Sequence, residues 1–362
     1  MSKKIILSLF IFSISFLKAG DWYELALPSV QVMDMHLYKS QLWVATYGKG
    51  IYQYDYKQKK WDSYSTKNEK SEEDFFYCIA VSDEYIWAGS SQGLYIYDRK
   101  KESWKKRKFS AGGEYGNWIR SLYYDGDEGV LWIGRFQYLS RLDVKNQKYD
   151  DINMTMGTDD RSNNIKAVRP DGENFIWIGT ESGAFRYDKR NNPTEKSSYE
   201  YFGNKENSFK GDGDFVSISE IYSDDEGVWF AADEFVTQDK PYFNMGGLYK
   251  YNRKAAWTKF DRRTGLAGNG VKAVARSGNR LWLGVYAFDK EAKAEIGQGL
   301  ALLNPSTGAL QNIRVDELKA ESNLIHALIF DGDALWIGTD KGLYRITFYN
   351  PFAVFTKKKR IK

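Results

Sequence analysis

Short apolar runs separated by polar, glycine-bearing turns recur along almost the whole chain, and one phrase sits at the heart of each run. It reads Leu42-Trp43-Val44-Ala45, Ile86-Trp87-Ala88-Gly89, Leu131-Trp132-Ile133-Gly134, Ile176-Trp177-Ile178-Gly179, Val228-Trp229-Phe230-Ala231, Leu281-Trp282-Leu283-Gly284 and Leu335-Trp336-Ile337-Gly338. The tryptophans are 44, 45, 45, 52, 53 and 54 residues apart. Around the second of them the pattern predicts four strands: Tyr77 to Ser82 (A), Tyr85 to Gly89 (B), Leu94 to Tyr97 (C) and Trp104 to Phe109 (D). Tight polar turns join them, which makes one antiparallel meander sheet. A single repeat of this size cannot bury a core and must stack on its neighbours. The expectation is therefore one all-β domain over residues 20–356, a seven-bladed β-propeller of four-stranded antiparallel blades.

The regular positions have structural reasons. A strand B tryptophan is large enough to fill the gap between two twisted blades. The small residue two places on leaves room for the adjacent blade. Gly50, Gly93, Gly183, Gly247, Gly299 and Gly342 open strand C, where a turn needs positive φ. Asp55, Asp98, Asp143, Asp188, Asn252 and Asn304 end it, where a short side chain caps the next turn. Trp22-Tyr23-Glu24-Leu25 resembles strand D elsewhere and is expected to close the ring as the outer strand of the last blade. Phe352 to Thr356 competes for that slot, and Thr347 marks where the last repeat leaves the pattern.

Composition adds a compartment. Lys3 and Lys4 precede an apolar run from Ile5 to Leu17, and Leu17-Lys18-Ala19 is a tolerable cleavage site, so residues 1–19 read as a signal peptide. Thirteen residues are too few for a membrane span, which needs about 20. A mature chain without a transmembrane segment, periplasmic or secreted, is expected. The formal charge is +4. Setting aside the three lysines before residue 19 and the five basic residues of the tail 357–362 leaves the body near −4. A nucleic-acid partner would want a basic face on the folded body, so none is expected. The basic tail is expected to be solvated. Cys78 is the single cysteine, so no internal disulfide forms, and it reads as a small buried hydrophobe.

The succession Leu-Trp-Ile-Gly-Thr, then Gly-Leu-Tyr, then an aromatic followed by Asp, resembles the two-component regulator propeller repeat. The lead-in segments Thr264 to Val271, Ser162 to Ile165 and Glu321 to Leu324 are similar to that family's loop before strand A. The resemblance covers about residues 21 to 350. It implies a binding-type propeller outside the cytoplasm, because members often form the extracytoplasmic sensor of histidine kinases and detect ligands such as oligosaccharides. This chain differs in having one ring rather than two, and no kinase or transmembrane segment.

The irregular repeats carry the functional information. From the tryptophan to the strand C glycine is 18 residues in blade 5 and 17 in blade 6, against six or seven in blades 1, 2, 4 and 7. These adjacent insertions emerge on one face and carry Phe235, Tyr242, Phe243, Tyr286 and Phe288; long loops on a rigid scaffold are where binding usually lives. Neutral drift in surface loops is the alternative. A second candidate is the central channel. Aligning the A strands puts Met33, Cys78, Arg120, Lys166, Ser219, Lys272 and His326 at one level, a partly basic ring suited to a carboxylate, sulfate or phosphate. Mutual pairing with Asp34 and Glu220, on the next level, is the competing reading. Trp118, Asn164 and Asn269, with Asn117 and Asn323, stand just before strand A near the same mouth; aromatic faces with amides suit sugars and also suit ordinary turns.

Catalytic chemistry is hard to find. His36 and His326 are the two histidines, on different blades, and no cluster has metal-ligand spacing. Asp125 to Gly129 mimics a calcium loop but has Phe136 at the twelfth position, where an acid is required. No cofactor is expected. The leading expectation is a non-catalytic binding or sensor module, a monomer, recognising a small molecule, a glycan or an envelope protein. The alternative is a propeller lyase or glycosidase, for which Asp34 and Glu220 are a weak carboxylate pair.

Overall fold

The computed structural model describes residues 22–204, 208–209 and 211–347; the leader and the basic tail lie outside them. Seven four-stranded antiparallel sheets follow one another round a ring. The protein is a seven-bladed β-propeller, and the helical segments among the described residues are 3-10 turns of three or four residues. The innermost strands, A, are Val32–Tyr38, Cys78–Val81, Ile119–Asp125, Ile165–Asp171, Ile218–Asp224, Gly270–Ser277 and Ile325–Phe330. Each packs against the A strands on either side, and the seventh packs against the first. The outermost strand of blade 7 is Trp22–Pro28, antiparallel to Gly342–Thr347 with Trp22 opposite Thr347. The competing segment 352–356 lies outside the described residues.

The repeat works because each tryptophan is a wedge. Six of the seven strand B tryptophans are 0–2% exposed, and Trp282 is 4% exposed. Each faces the strand C aromatic or strand A of the next blade. Trp87 lies 4.9 Å from the Tyr124 ring of blade 3, Trp132 lies 5.4 Å from Tyr187 of blade 4, and Trp336 lies 5.9 Å from Tyr54 of blade 1. The small residue two places on admits the next blade's first strand: a Cβ at Gly134 would stand 2.8 Å from Ile165 Cγ2, and one at Gly179 2.6 Å from Ile218 Cγ2. At such separations something must shift, which is why the position stays small.

A polar clasp reinforces the wedge. Trp336 Nε1 donates to Asp331 Oδ2 at 2.7 Å, and the Tyr56 hydroxyl of blade 1 donates to the same oxygen at 2.8 Å. Asp171 likewise accepts from Trp177 of its own blade and pairs with Arg253 of blade 5. Asp125, in the stretch that mimics a calcium loop, opens the turn between strands A and B of blade 3 and pairs with Lys189 of blade 4.

Candidate functional site

Strand A of six blades carries a β-bulge, and the extra residue is Met33, Arg120, Lys166, Ser219, Lys272 or His326. A bulge leaves one residue unpaired and re-aims its side chain. Here all six face the channel and line one cavity of about 650 Å3. Blade 2 corrects the sequence alignment. Cys78 pairs directly with Gly89, and the Tyr77 N–H donates to the Gly89 carbonyl at 2.8 Å. Tyr77 therefore occupies the channel position and lines the cavity, whereas Cys78 is 2% exposed and packs between blades. Burial pushes its thiol pKa well up.

The position four places after each tryptophan (Tyr47, Ser91, Phe136, Glu181, Asp233, Tyr286 and Asp340) puts three of its members, Glu181, Asp233 and Tyr286, in the lining of the same cavity. It supplies counter-charges that the sequence reading missed. Arg120 Nη1 meets Glu181 Oε1 at 2.8 Å, and Lys166 pairs with Asp233. In both cases the acid belongs to the next blade. Lys272 meets Glu295 Oε1 at 2.8 Å within blade 6. Burial pushes the Asp233 carboxyl up, but the Lys166 and Lys272 ammonium groups outweigh it and bring the pKa down to about 2. Glu181 is likewise held low, mainly by Arg120 working against burial. Desolvation lowers the Lys166 pKa, with Asp233 opposing that. His326 is driven down to about 4 by burial and by Lys272, so it is neutral at pH 7. The expected basic ring is therefore compensated. Four cationic side chains (Arg120, Arg161, Lys166 and Lys272) and four carboxylates (Glu181, Asp233, Glu234 and Glu295) line the cavity.

The two insertions are hairpins rather than irregular loops. In blade 6 the ladder runs unbroken from Arg280–Asp289 into Ala294–Leu303, with one register shift at Val285/Tyr286. In blade 5, Gly227–Phe235 pairs with Asn244–Tyr251. The buried Glu234 carboxylate ties them together: it accepts from Asn269 Nδ2 at 3.1 Å and from the Phe288 N–H at 2.9 Å. Tyr286 is 1% exposed, with its hydroxyl on Asp233 Oδ1 at 3.1 Å and under the Glu234 N–H at 3.1 Å. The hairpins bring an aromatic wall to the cavity, in which Phe235 lies 4.8 Å from Phe288 and 6.0 Å from Phe243. Trp118 and Tyr77 line the cavity too, their rings 5.5 Å apart, with Phe136 stacked on Trp118 at 5.4 Å and 3° and the Arg120 guanidinium 5.7 Å from the indole.

The channel ring and the hairpins, proposed from sequence as separate candidates, thus form one cavity. It brings together Arg120, Lys166, Lys272, His326, Trp118, Phe235, Phe243, Tyr286 and Phe288. It does not include the other three. Asn164 Nδ2 donates to Glu181 Oε2 at 2.9 Å, and Asn269 Oδ1 accepts the Arg262 N–H at 3.0 Å, so both amides brace the walls. Tyr242 is 63% exposed and is not part of the cavity lining.

The other mouth of the channel is a smaller cavity of about 410 Å3, which shares Met33 and His326 with the first. Asp34 and Glu220 both line it, but they are spoken for: Asp34 accepts N–H bonds from Ile79 and Met35, and Glu220 pairs with Arg169 at 2.6 Å. Burial raises the Asp34 pKa to about 6 despite Arg169, and it lowers His36 to about 4.

No family model matches the chain, and no curated protein matches it. Solved structures share its fold. The extracellular domain of BT4673 from B. thetaiotaomicron, described as a one-component or hybrid two-component system, superposes with a TM-score of 0.65 at 19% identity. The match covers 93% of this chain and 42% of that one, so this chain spans less than half the length of its counterpart. Virginiamycin B lyase from Staphylococcus aureus gives a TM-score of 0.65 at 11% identity, covering 91% of this chain and all of the lyase. YCF48 bound to D1 peptide gives 0.62 at 12% identity, covering 92% and 98%. At these identities the likeness is one of fold.

Chemically, the cavity offers flat aromatic faces, cations already paired with carboxylates, and polar atoms with unused capacity. Asn244 Oδ1 and His326 Nε2 are buried against it without hydrogen-bond partners. Buried polar atoms are ordinarily satisfied, so these two invite donors or acceptors from a bound molecule. Among the described residues, no helix is long and apolar enough to cross a membrane.

Proposed function

We propose that this chain is an exported, non-catalytic binding propeller of the sensor type, and that it takes a neutral, hydroxyl-rich small molecule or glycan in the 650 Å3 cavity. The observation that carries this reading is the pairing of every channel cation with a carboxylate. A bare anion would have to displace Glu181, Asp233 or Glu295 from its partner, whereas hydroxyl groups bond to such pairs without breaking them. Trp118 with Tyr77, and Phe235 with Phe288, supply apolar faces for sugar rings. Pockets of this size with a few convergent polar groups are where small ligands bind. The leader-like residues 1–19 and the extracellular setting of the BT4673 domain support a periplasmic or secreted location.

A lyase or glycosidase is the second reading, favoured by the shared fold with virginiamycin B lyase. The site gives it little to work with. Tyr286 is held protonated by burial and its hydroxyl is fully bonded. His326, with its pKa near 4, is a weak base at neutral pH.

Titration calorimetry against neutral and anionic glycans separates the readings. Binding of a neutral glycan that is lost in Trp118→Ala and Phe288→Ala, with no turnover, is the expected result. Selective capture of anionic ligands, or release of unsaturated or hydrolysed product, would overturn it.

A further inference from the structure

The central cavity does not end at the rim between blades 4 and 5. A second cleft of about 460 Å3 lies beyond it, lined by Asp159, Ser182, Tyr201, Asn204 and Asp214. Arg161 lines both. Its guanidinium sits over the Phe215 ring, 3.7 Å from the centroid, and its Nε donates to Asp159 Oδ1 at 3.1 Å. Arg161 and Phe215 thus form a low ridge between the two spaces. Asn244 stands at the same ridge. It bridges Phe215 through the backbone, is 7% exposed, and its side-chain oxygen faces the central cavity without a partner.

We propose that the outer cleft is a second subsite of the same binding site, so that the ligand is a linear oligosaccharide of neutral units running from the channel mouth across the Arg161–Phe215 ridge. This rests on the function proposed above and extends it. Each space alone falls within the roughly 300–1,000 Å3 range of ligand pockets, so neighbouring units are housed separately. The ridge gives a crossing unit what a glycan uses: a guanidinium edge to donate and the Asn244 oxygen to accept. The outer lining, with its hydroxyl, amide and carboxylate groups, offers acceptors to further hydroxyls.

The test is calorimetry on the full chain with ladders of one to six units of neutral β-glucan, α-glucan and mannan oligosaccharides. The ladder that binds is expected to gain about tenfold or more in affinity once it outgrows the central cavity. Thr158→Ala and Asp214→Asn, which line the outer cleft and not the central cavity, should reduce that gain and leave the affinity of the shortest binder unchanged. Both sites are at the surface, and melting curves check that the variants fold. Affinity independent of length, or an Asp214→Asn loss equal at all lengths, overturns the second subsite while leaving the central site standing. No binding by any ladder at millimolar concentration removes the neutral-glycan reading, and this one with it.

Discussion

The Tyr286 hydroxyl, on the blade 6 hairpin, donates to Asp233 Oδ1 of blade 5 at 3.1 Å, while the other oxygen of Asp233 takes the Lys166 ammonium of blade 4. Ser217 joins the same oxygen, and Lys166 Nζ reaches Ser217 Oγ at 2.9 Å. One carboxylate therefore ties three blades together at the channel mouth. Asp233→Asn leaves a largely buried ammonium without its counter-charge, a change that typically costs about 3–5 kcal/mol. Tyr286→Phe removes only hydrogen bonds and is expected to cost about 1–3 kcal/mol. Urea unfolding at pH 7 should rank the two in that order; equal losses would mean that Lys166 is not held by Asp233.

Stability should fall with acid through the two histidines and be partly rescued by Asp34. His36 and His326 have folded pKa values near 4 against an ordinary 6.5. Between those limits the unfolded chain binds more protons, so stability declines as pH drops from 6.5 to 4. Asp34 is raised to about 6 from 3.8, so in the native state it binds a proton that the unfolded chain releases, and its contribution declines as pH rises through the same window. His326→Gln should therefore gain on the parent protein as pH falls from 6.5 to 4, by at most about 1.4 kcal/mol per pH unit. Asp34→Asn should steepen the acid loss. Parallel pH curves for the parent and His326→Gln would contradict the buried, neutral histidine.

The architecture was legible because every repeat must solve the same problem. A wedge such as Trp177 and the clearance at Gly179 are needed at each blade junction, so they recur in the sequence. The site was legible only in part. The bulge that turns Arg120 or Lys166 inward leaves no mark in hydrophobicity, and in blade 2, where the strand ladder begins only at Cys78, the alignment falls on Cys78 instead of Tyr77. The pairing acids were missed because Glu181 and Asp233 belong to the blade after their partners. Their common offset, four residues past the tryptophan, was the available signal. The insertions looked like loops because length alone does not distinguish a loop from a longer hairpin, although the β-branched and aromatic residues in Val285 to Phe288 pointed to strand.

The clearance at the blade junctions predicts a sharp positional contrast. A methyl at Gly179 would press on Ile218 Cγ2 and Cβ, at 2.6 and 2.9 Å, inside a packed core. Gly179→Ala is expected to destabilise the ring by about 1–3 kcal/mol, as overpacking does. Gly126→Ala is the control, since its Cβ would approach only Tyr124 Cε1 at 3.8 Å. Thermal melts that fail to separate the two variants would count against the wedge.

Asn269 and Phe288 divide bracing from recognition. Asn269 fixes the chain ahead of strand A of blade 6 and holds Glu234, whose other oxygen takes the Phe288 N–H; it does not line the cavity. Asn269→Ala leaves a buried carboxylate with one bond fewer and is expected to lower stability by about 1–3 kcal/mol. With the wall still in place below the melting transition, ligand affinity should change little. Phe288→Ala does the opposite. Its ring lies on the partly exposed Phe235 and lines the cavity, so its loss removes contact area from the wall more than from the core. Paired measurements of melting temperature and ligand affinity on both variants decide the matter. If Asn269→Ala weakens binding more than Phe288→Ala in protein that remains folded, the amide touches the ligand itself, and the aromatic wall is not where recognition happens.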